Sequence, residues 1–242
     1  MQQQELIGKT ALITGGTKGI GYGIAESLMG EGMKVAITGR SQEGVYEATT
    51  QLNALGKGEA LGIQADVRDL DSQKAAVQKV LDQWGNLDLF VANAGLGHFG
   101  SIEELTPEQW HEVIDTNLTG AFYSIKASVD ALKQTKGFFI TISSLAGTNF
   151  FPGGSAYNAS KFGLTGFTQS VMLDLRQHGV RVSTIMPGSV ATHFNNHEPN
   201  AEADAWKIQI EDLGQMVADL MRMHPRTLPS KIEVRPSMPP KK

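Results

Sequence analysis

The chain has 242 residues, 40% of them apolar, which is enough for one core in an α/β fold of this size. Its formal net charge of −4 gives no basic footprint for nucleic acid. It contains no cysteine, which excludes disulfides, thiolate nucleophiles and cysteine-ligated metal centres, and it has no apolar run long enough to span a bilayer. The first five residues carry no basic, apolar leader, so the expected compartment is the cytoplasm.

Residues 9–14 read as a short buried strand around Ala11, Leu12 and Ile13. It runs into Gly15-Gly16-Thr17-Lys18-Gly19-Ile20-Gly21. A helix follows with Ile24, Ala25, Leu28 and Met29 on one face, closed by Gly30 and Gly32. Strand, glycine turn and helix form a phosphate-binding context. The glycines let backbone approach a pyrophosphate, and the helix N-terminus offers free N–H groups and positive potential. The spacing is Gly-x-x-x-Gly-x-Gly, and a plain tight turn is the competing reading. Residues 33–38 form a second strand ending in Gly39-Arg40-Ser41. In nicotinamide-binding folds an acid at this strand end bonds a free ribose 2′-hydroxyl, whereas an Arg accommodates a 2′-phosphate. Arg40, with Lys18 in the first turn, points to NADP(H) over NAD(H); the alternative is a pair of solvated surface charges.

Ser41 can cap a helix running to about residue 55. Residues 58–64 read as a third strand, followed by Ala65-Asp66-Val67. Helical periodicity over 71–84 precedes a fourth strand at 87–92 that leads into Asn93-Ala94-Gly95. This alternation predicts a doubly wound parallel sheet. Its ligand crevice belongs at the carboxyl ends of the strands, where Gly15, Arg40, Asp66 and Asn93 all fall.

After a loop at 95–105, Thr106-Pro107-Glu108 reads as an N-cap, a proline at N1 and an acidic first turn. Asn117 has helical pattern on both sides, which suggests a kink or a buried polar contact. Residues 138–142 form a fifth strand ending at Ser143-Ser144, and 145–155 form a loop. A helix covers 156–177, and a sixth strand at 181–186 ends at Pro187-Gly188. The polar stretch 189–211 reads as the lip of a substrate pocket. A helix at 212–224, a last strand at 231–234 and a Pro-rich tail at 236–242 complete a single dinucleotide-binding and catalytic domain over 1–242.

Tyr157 and Lys161 are four apart, so on a helix they share a face. A phenol, with a reference pKa of about 10, is a poor acid catalyst unaided. A nearby ammonium favours the phenolate and gives a proton donor and acceptor usable near neutral pH. By itself such a pair is more often two surface residues.

Taken together, Thr14-Gly15-x-x-x-Gly19-x-Gly21, Asn93-Ala94-Gly95, Asn117, Ser144, Tyr157-x-x-x-Lys161 and Pro187-Gly188 resemble the short-chain dehydrogenase/reductase family over residues 8–192. The likeness is nearest to its β-ketoacyl-carrier-protein reductases and NADPH carbonyl reductases. It implies a Rossmann-type α/β fold with a mostly parallel, seven-stranded sheet and helices on both faces. It also implies reduction of a ketone or aldehyde by NADPH. Tyr157 would be the general acid or base, Lys161 would lower its pKa and hold the nicotinamide ribose, and Ser144 would stabilise charge on the carbonyl oxygen. Asn117 would hold a water that passes protons to Lys161. Ser144 is preferred to Ser143 for its spacing from Tyr157. Gly15, Thr17, Lys18, Gly19, Ile20, Gly21 and Arg40 would contact the cofactor phosphates. Asp66 and Val67 would meet the adenine, Asn93, Ala94 and Gly95 the adjoining ribose edge, and Pro187, Gly188, Val190 and Thr192 the carboxamide.

Two other readings use the same residues: an NAD-linked alcohol dehydrogenase, and a non-catalytic dinucleotide-binding regulator. The ending Glu233-Val234-Arg235-Pro236 and the short stretch after Thr192 favour a broad carbonyl reductase over a fatty-acid enzyme. Phe162, Leu164, Phe167, Val171 and Leu175 exceed what one sheet contact needs; members of the family pack this helix against a partner copy, so the resemblance implies a homodimer or homotetramer. The six histidines show no convincing ligand spacing, only His193 and His197 being four apart, and no metal is expected; they read as surface residues, with a pocket-facing substrate contact as the alternative for His98 on the loop after Gly95. Phe150, Phe151 and Phe194 could wall the pocket or pack in the core.

Overall fold

The computed structural model describes residues 5–239. The tip of the Pro-rich tail, residues 240–242, lies outside them. Seven strands form one sheet: β1 (Thr10–Thr14), β2 (Lys34–Gly39), β3 (Glu59–Gln64), β4 (Leu89–Ala92), β5 (Phe138–Ile142), β6 (Arg181–Pro187) and β7 (Lys231–Val234). Their order is β3-β2-β1-β4-β5-β6-β7, and every pairing is parallel. The helices are α1 (Gly19–Gly30), α2 (Gln42–Ala54), α3 (Leu70–Trp84), α4 (Pro107–Ile114), α5 (Gly120–Thr135), α6 (Ser155–Leu175) and α7 (Ile210–Arg222). No helix among the described residues is long and apolar enough to cross a membrane.

The central strands are apolar on both faces, as a parallel sheet covered by helices requires. Period-two alternation still sorts their side chains. Ala11, Ile13, Val35, Ile37, Leu89 and Val91 join Ile24, Leu28, Leu52, Leu213 and Val217, so α1, α2 and α7 cover that face. Leu12, Ala36, Phe90 and Phe139 join Val77, Val80, Ile125, Leu132 and Leu164 from α3, α5 and α6 on the other. Phe90, Phe138 and Phe139 are among the largest fully buried side chains; burying each stabilises by roughly 1.5–3 kcal/mol.

Local chemistry sets the helix ends that matter for the site. Ser41 caps α2 by accepting from Gly44 N, and Asp69 caps α3 through Asp71 and Ser72. Thr106 and Gln109 make a reciprocal capping box with Pro107 at the start of α4. Between α4 and α5 the helix widens to a π-turn over Asp115–Thr119, centred on the buried Asn117. The kink read from the sequence is therefore an inserted residue, a feature common at functional sites.

The order reverses between β1 and β4, which is where such sheets bind ligands. Thr14 and Asn93 join the two strand ends. Thr14 Oγ1 accepts from Asn93 N (3.0 Å) and Ala94 N (3.1 Å). Asn93 Nδ2 donates to Thr14 O (2.9 Å) and Gly15 O (3.1 Å).

Candidate active site

A cleft of about 940 Å³ runs along the carboxyl ends of the strands. Every residue assigned from the sequence to catalysis or cofactor lines it, except Gly21 and Asn117. Gly21 acts by packing: a Cβ there would lie 2.5 Å from Asn93 Nδ2 and 2.6 Å from Gly15 O. Gly19 has φ +58°, a conformation glycine adopts without strain. Asn117 lies just beneath the wall. Its Oδ1 accepts from Leu96 N (2.9 Å), and its Nδ2 donates to Leu96 O (2.8 Å) and Ser160 Oγ (3.0 Å). The Asn117 side chain thus anchors the loop after β4.

Tyr157 and Lys161 leave the first turns of α6 on one face, with Lys161 Nζ 5.6 Å from the Tyr157 ring centroid. Lys161 is 4% exposed, and its Nζ donates to Ile142 O at 2.9 Å. Burial pulls its pKa down to about 8. Burial also pushes the Tyr157 phenol up, and a hydrogen bond with Ser144 acts the other way. The sequence suggested a phenol lowered by the nearby ammonium; here burial is the largest influence on it. Desolvation governs both groups, because each charged form loses water in this corner. Ser143 and Ser144 both line the cleft, but Ser143 is buried and its hydroxyl is engaged within the protein: its Oγ donates to Lys161 O (3.2 Å) and meets Thr165 Oγ1 (3.0 Å).

Aromatic rings close this end. Tyr157 lies 5.4 Å from Phe99 and 5.6 Å from Phe194, centroid to centroid, and Phe99 lies 6.1 Å from Phe151. Phe151 and Phe194 are therefore pocket wall and not core; Phe99, on a third loop, gave no such signal in the sequence.

The far end is charged and open. Arg40 is 62% exposed and reaches Glu112 at 4.0 Å. Glu112 also binds His98 at 2.8 Å, which lowers its carboxyl pKa. Asp66 is gripped by Arg68 at 2.6 Å and lowered for the same kind of reason. His98 and His197, read as surface residues, both line the cleft. His197 Nε2 lies 2.6 Å from the buried Asp204, whose other oxygen meets Lys207 at 2.6 Å. These two partners hold Asp204 far below the usual carboxylate range. They fold the lip back on itself, and a parallel bridge between Val190 and Ile208 closes its base. His98 thus faces the pocket, the alternative its loop suggested, but neither pairing has a local signal, since each partner is remote along the chain or separated by irregular backbone. No group of three or more His, Cys, Asp or Glu able to hold a metal occurs among the described residues.

The protein's own groups fit a dinucleotide. Lys18, at the start of α1, makes no side-chain cap, which leaves the first N–H groups of the helix for an anion. Thr116 Oγ1, on the cleft wall, is buried without a partner among the described residues.

The model of the short chain dehydrogenases matches residues 9–203. The chain belongs to that family, and so is an NAD(P)-dependent-type oxidoreductase by class. It is 36% identical over 189 residues to a trans-4-hydroxycyclohexanecarboxylate dehydrogenase from Sinomonas cyclohexanicum, covering 76% of this chain and 73% of that protein. It is 37% identical over 190 residues to a 3-oxoacyl-[acyl-carrier-protein] reductase from Staphylococcus aureus, covering 78% and 77%. Among solved structures, an alcohol dehydrogenase from the archaeon Thermococcus sibiricus, complexed with 5-hydroxy-NADP, superposes with a TM-score of 0.89. That pair shares 28% identity and covers 97% of this chain and 99% of the other.

Proposed function

We propose that the protein is an NADPH-dependent reductase of a ketone or aldehyde, working as one dinucleotide-binding and catalytic unit. The observation that carries this reading is the shared wall formed by Ser144, Tyr157 and Lys161 at the inner end of a dinucleotide-sized cleft. Bound NADPH supplies the hydride. The chain's own residues do the rest. Tyr157 donates a proton to the carbonyl oxygen, or removes one in the reverse direction. Ser144 bonds the same oxygen and stabilises its developing charge. Lys161, with a pKa of about 8, keeps a proton at neutral pH and favours the phenolate when Tyr157 gives its proton up. Asn117 is a positioning residue that fixes the loop carrying Gly95 and Leu96.

Arg40 supports NADP(H), since the β2 strand end offers no acid to a free 2′-hydroxyl. The 5-hydroxy-NADP bound by the archaeal alcohol dehydrogenase agrees with this choice. Phe122, Phe162 and Leu173 are 42%, 43% and 52% exposed on α5 and α6, which supports a homo-oligomer built on those helices. The test is consumption of NADPH, followed at its absorbance band, across a panel of ketones and aldehydes. Turnover with several of them is expected, and none with any would defeat the reading.

A further inference from the structure

A second chamber of about 730 Å³ adjoins the dinucleotide cleft. The two share Ser144, Tyr157, Gly188 and Ser189, so the chamber opens on the same hydroxyls that face the reacting carbonyl. Apart from Asn149 and Arg235, its other walls are apolar. Phe150 and Phe151 come from the loop before α6, Trp206 from the lip, and Pro236 and Pro239 from the tail. Phe150 is 87% exposed and Phe151 43%, a large apolar area to leave in water on one rim. Among these lining residues Arg235 alone is charged. It bonds Glu233 through Nη2 at 2.9 Å and keeps a side chain 56% exposed. A guanidinium has five N–H donors in a planar fork, so one carboxylate partner leaves donors to spare.

We propose that this chamber takes an oxo acid with a flat or ring-shaped body: a ketone at one end and a carboxylate at the other. The proposal rests on the reductase reading above. The carbonyl sits at Tyr157 and Ser144, the ring lies against Phe150, Phe151 and Trp206, and the carboxylate meets Arg235. Aromatic walls favour ring faces, and an Arg fork matches a carboxylate in two parallel bonds. The ketone gains a hydride from NADPH and a proton from Tyr157 to become the hydroxy acid, and NADP⁺ leaves. A ring carrying no anion would leave Arg235 unused, and an open acyl thioester chain would use neither the aromatic walls nor the fork.

Initial rates with NADPH and three probes test this: 4-acetylbenzoate, its methyl ester and an acetoacetyl thioester. The acid is expected to exceed the ester by about tenfold in kcat/KM, the scale of one charge-assisted bond pair. Arg235→Gln should bring the acid-to-ester ratio close to one through a higher KM for the acid, and Arg235→Lys should keep part of it. Equal rates for acid and ester in the wild type would overturn the proposal. So would a ratio unchanged by Arg235→Gln, or a thioester preferred to both. Ketone turnover without preference sinks this inference alone; no turnover of any carbonyl sinks the reductase reading with it.

Discussion

The two ends of the cleft hold their charged groups in opposite ways. At the open end the charged groups are solvent-accessible and pair with one another: Arg40 with Glu112, Glu112 with His98, and Arg68 with Asp66. At the catalytic end Lys161 is buried, bonded to a backbone carbonyl, and shifted by desolvation. Water weakens each pair at the open end, so its contacts can be exchanged cheaply for a phosphate. Burial at the closed end makes each charge expensive to form, which is how a site tunes an acid or base at some expense to stability. The same sheet edge thus carries exposed, exchangeable ion pairs at one end and a buried, fixed ammonium at the other.

Ser144→Ala gives the largest of the expected effects among the variants that break this comparison. It removes the hydroxyl facing the carbonyl oxygen, and kcat should fall about 10²–10³-fold, measured by NADPH consumption with the melting temperature unchanged.

Lys161→Met separates function from stability. Its folded pKa of about 8 lies below the ordinary value of 10.5. Above about pH 8 the unfolded chain binds the extra proton, so wild-type stability should rise with pH between those two values. The rise should total about 3 kcal/mol, and the variant should lack it. Denaturant melts of both proteins at pH 7 and pH 10 measure this difference. Parallel curves at the two pH values would contradict a desolvated Lys161.

Arg40→Asp should lower the preference for NADPH over NADH by at least about tenfold, the loss of a charge-assisted bond. Titration of both cofactors checks it, and an unchanged ratio would remove Arg40 from the phosphate site. Glu112→Gln is the smallest effect. It frees Arg40 from a competing anion, and because the pair is exposed the gain in NADPH affinity should stay within about fivefold.

Most of the sheet was legible because each strand is a short apolar run with a punctuating residue at its end. Residues 138–142 match β5 without adjustment, and Gly15, Arg40, Asp66 and Asn93 fall at strand ends as read. Asn117 betrayed the π-turn because an amide between two helical patterns must find partners. Its actual partners, Leu96 and Ser160, are set by tertiary packing and were not legible. The His98–Glu112 and His197–Asp204 pairs escaped for the same reason. The aromatic closure needs Phe99, Phe151 and Phe194 from three separate loops, and no period in the sequence links them. Neither was the balance between burial and charge at Tyr157 visible, since spacing places two groups but says nothing of the water each one loses.

The most direct test of the account replaces Tyr157 with Phe and measures two quantities on one preparation: NADPH affinity, and turnover of a ketone accepted by the wild type. The account predicts affinity within a few-fold of wild type and turnover lower by about 10²–10⁴-fold, the range of a lost general acid. Turnover that persists while NADPH remains bound would contradict it.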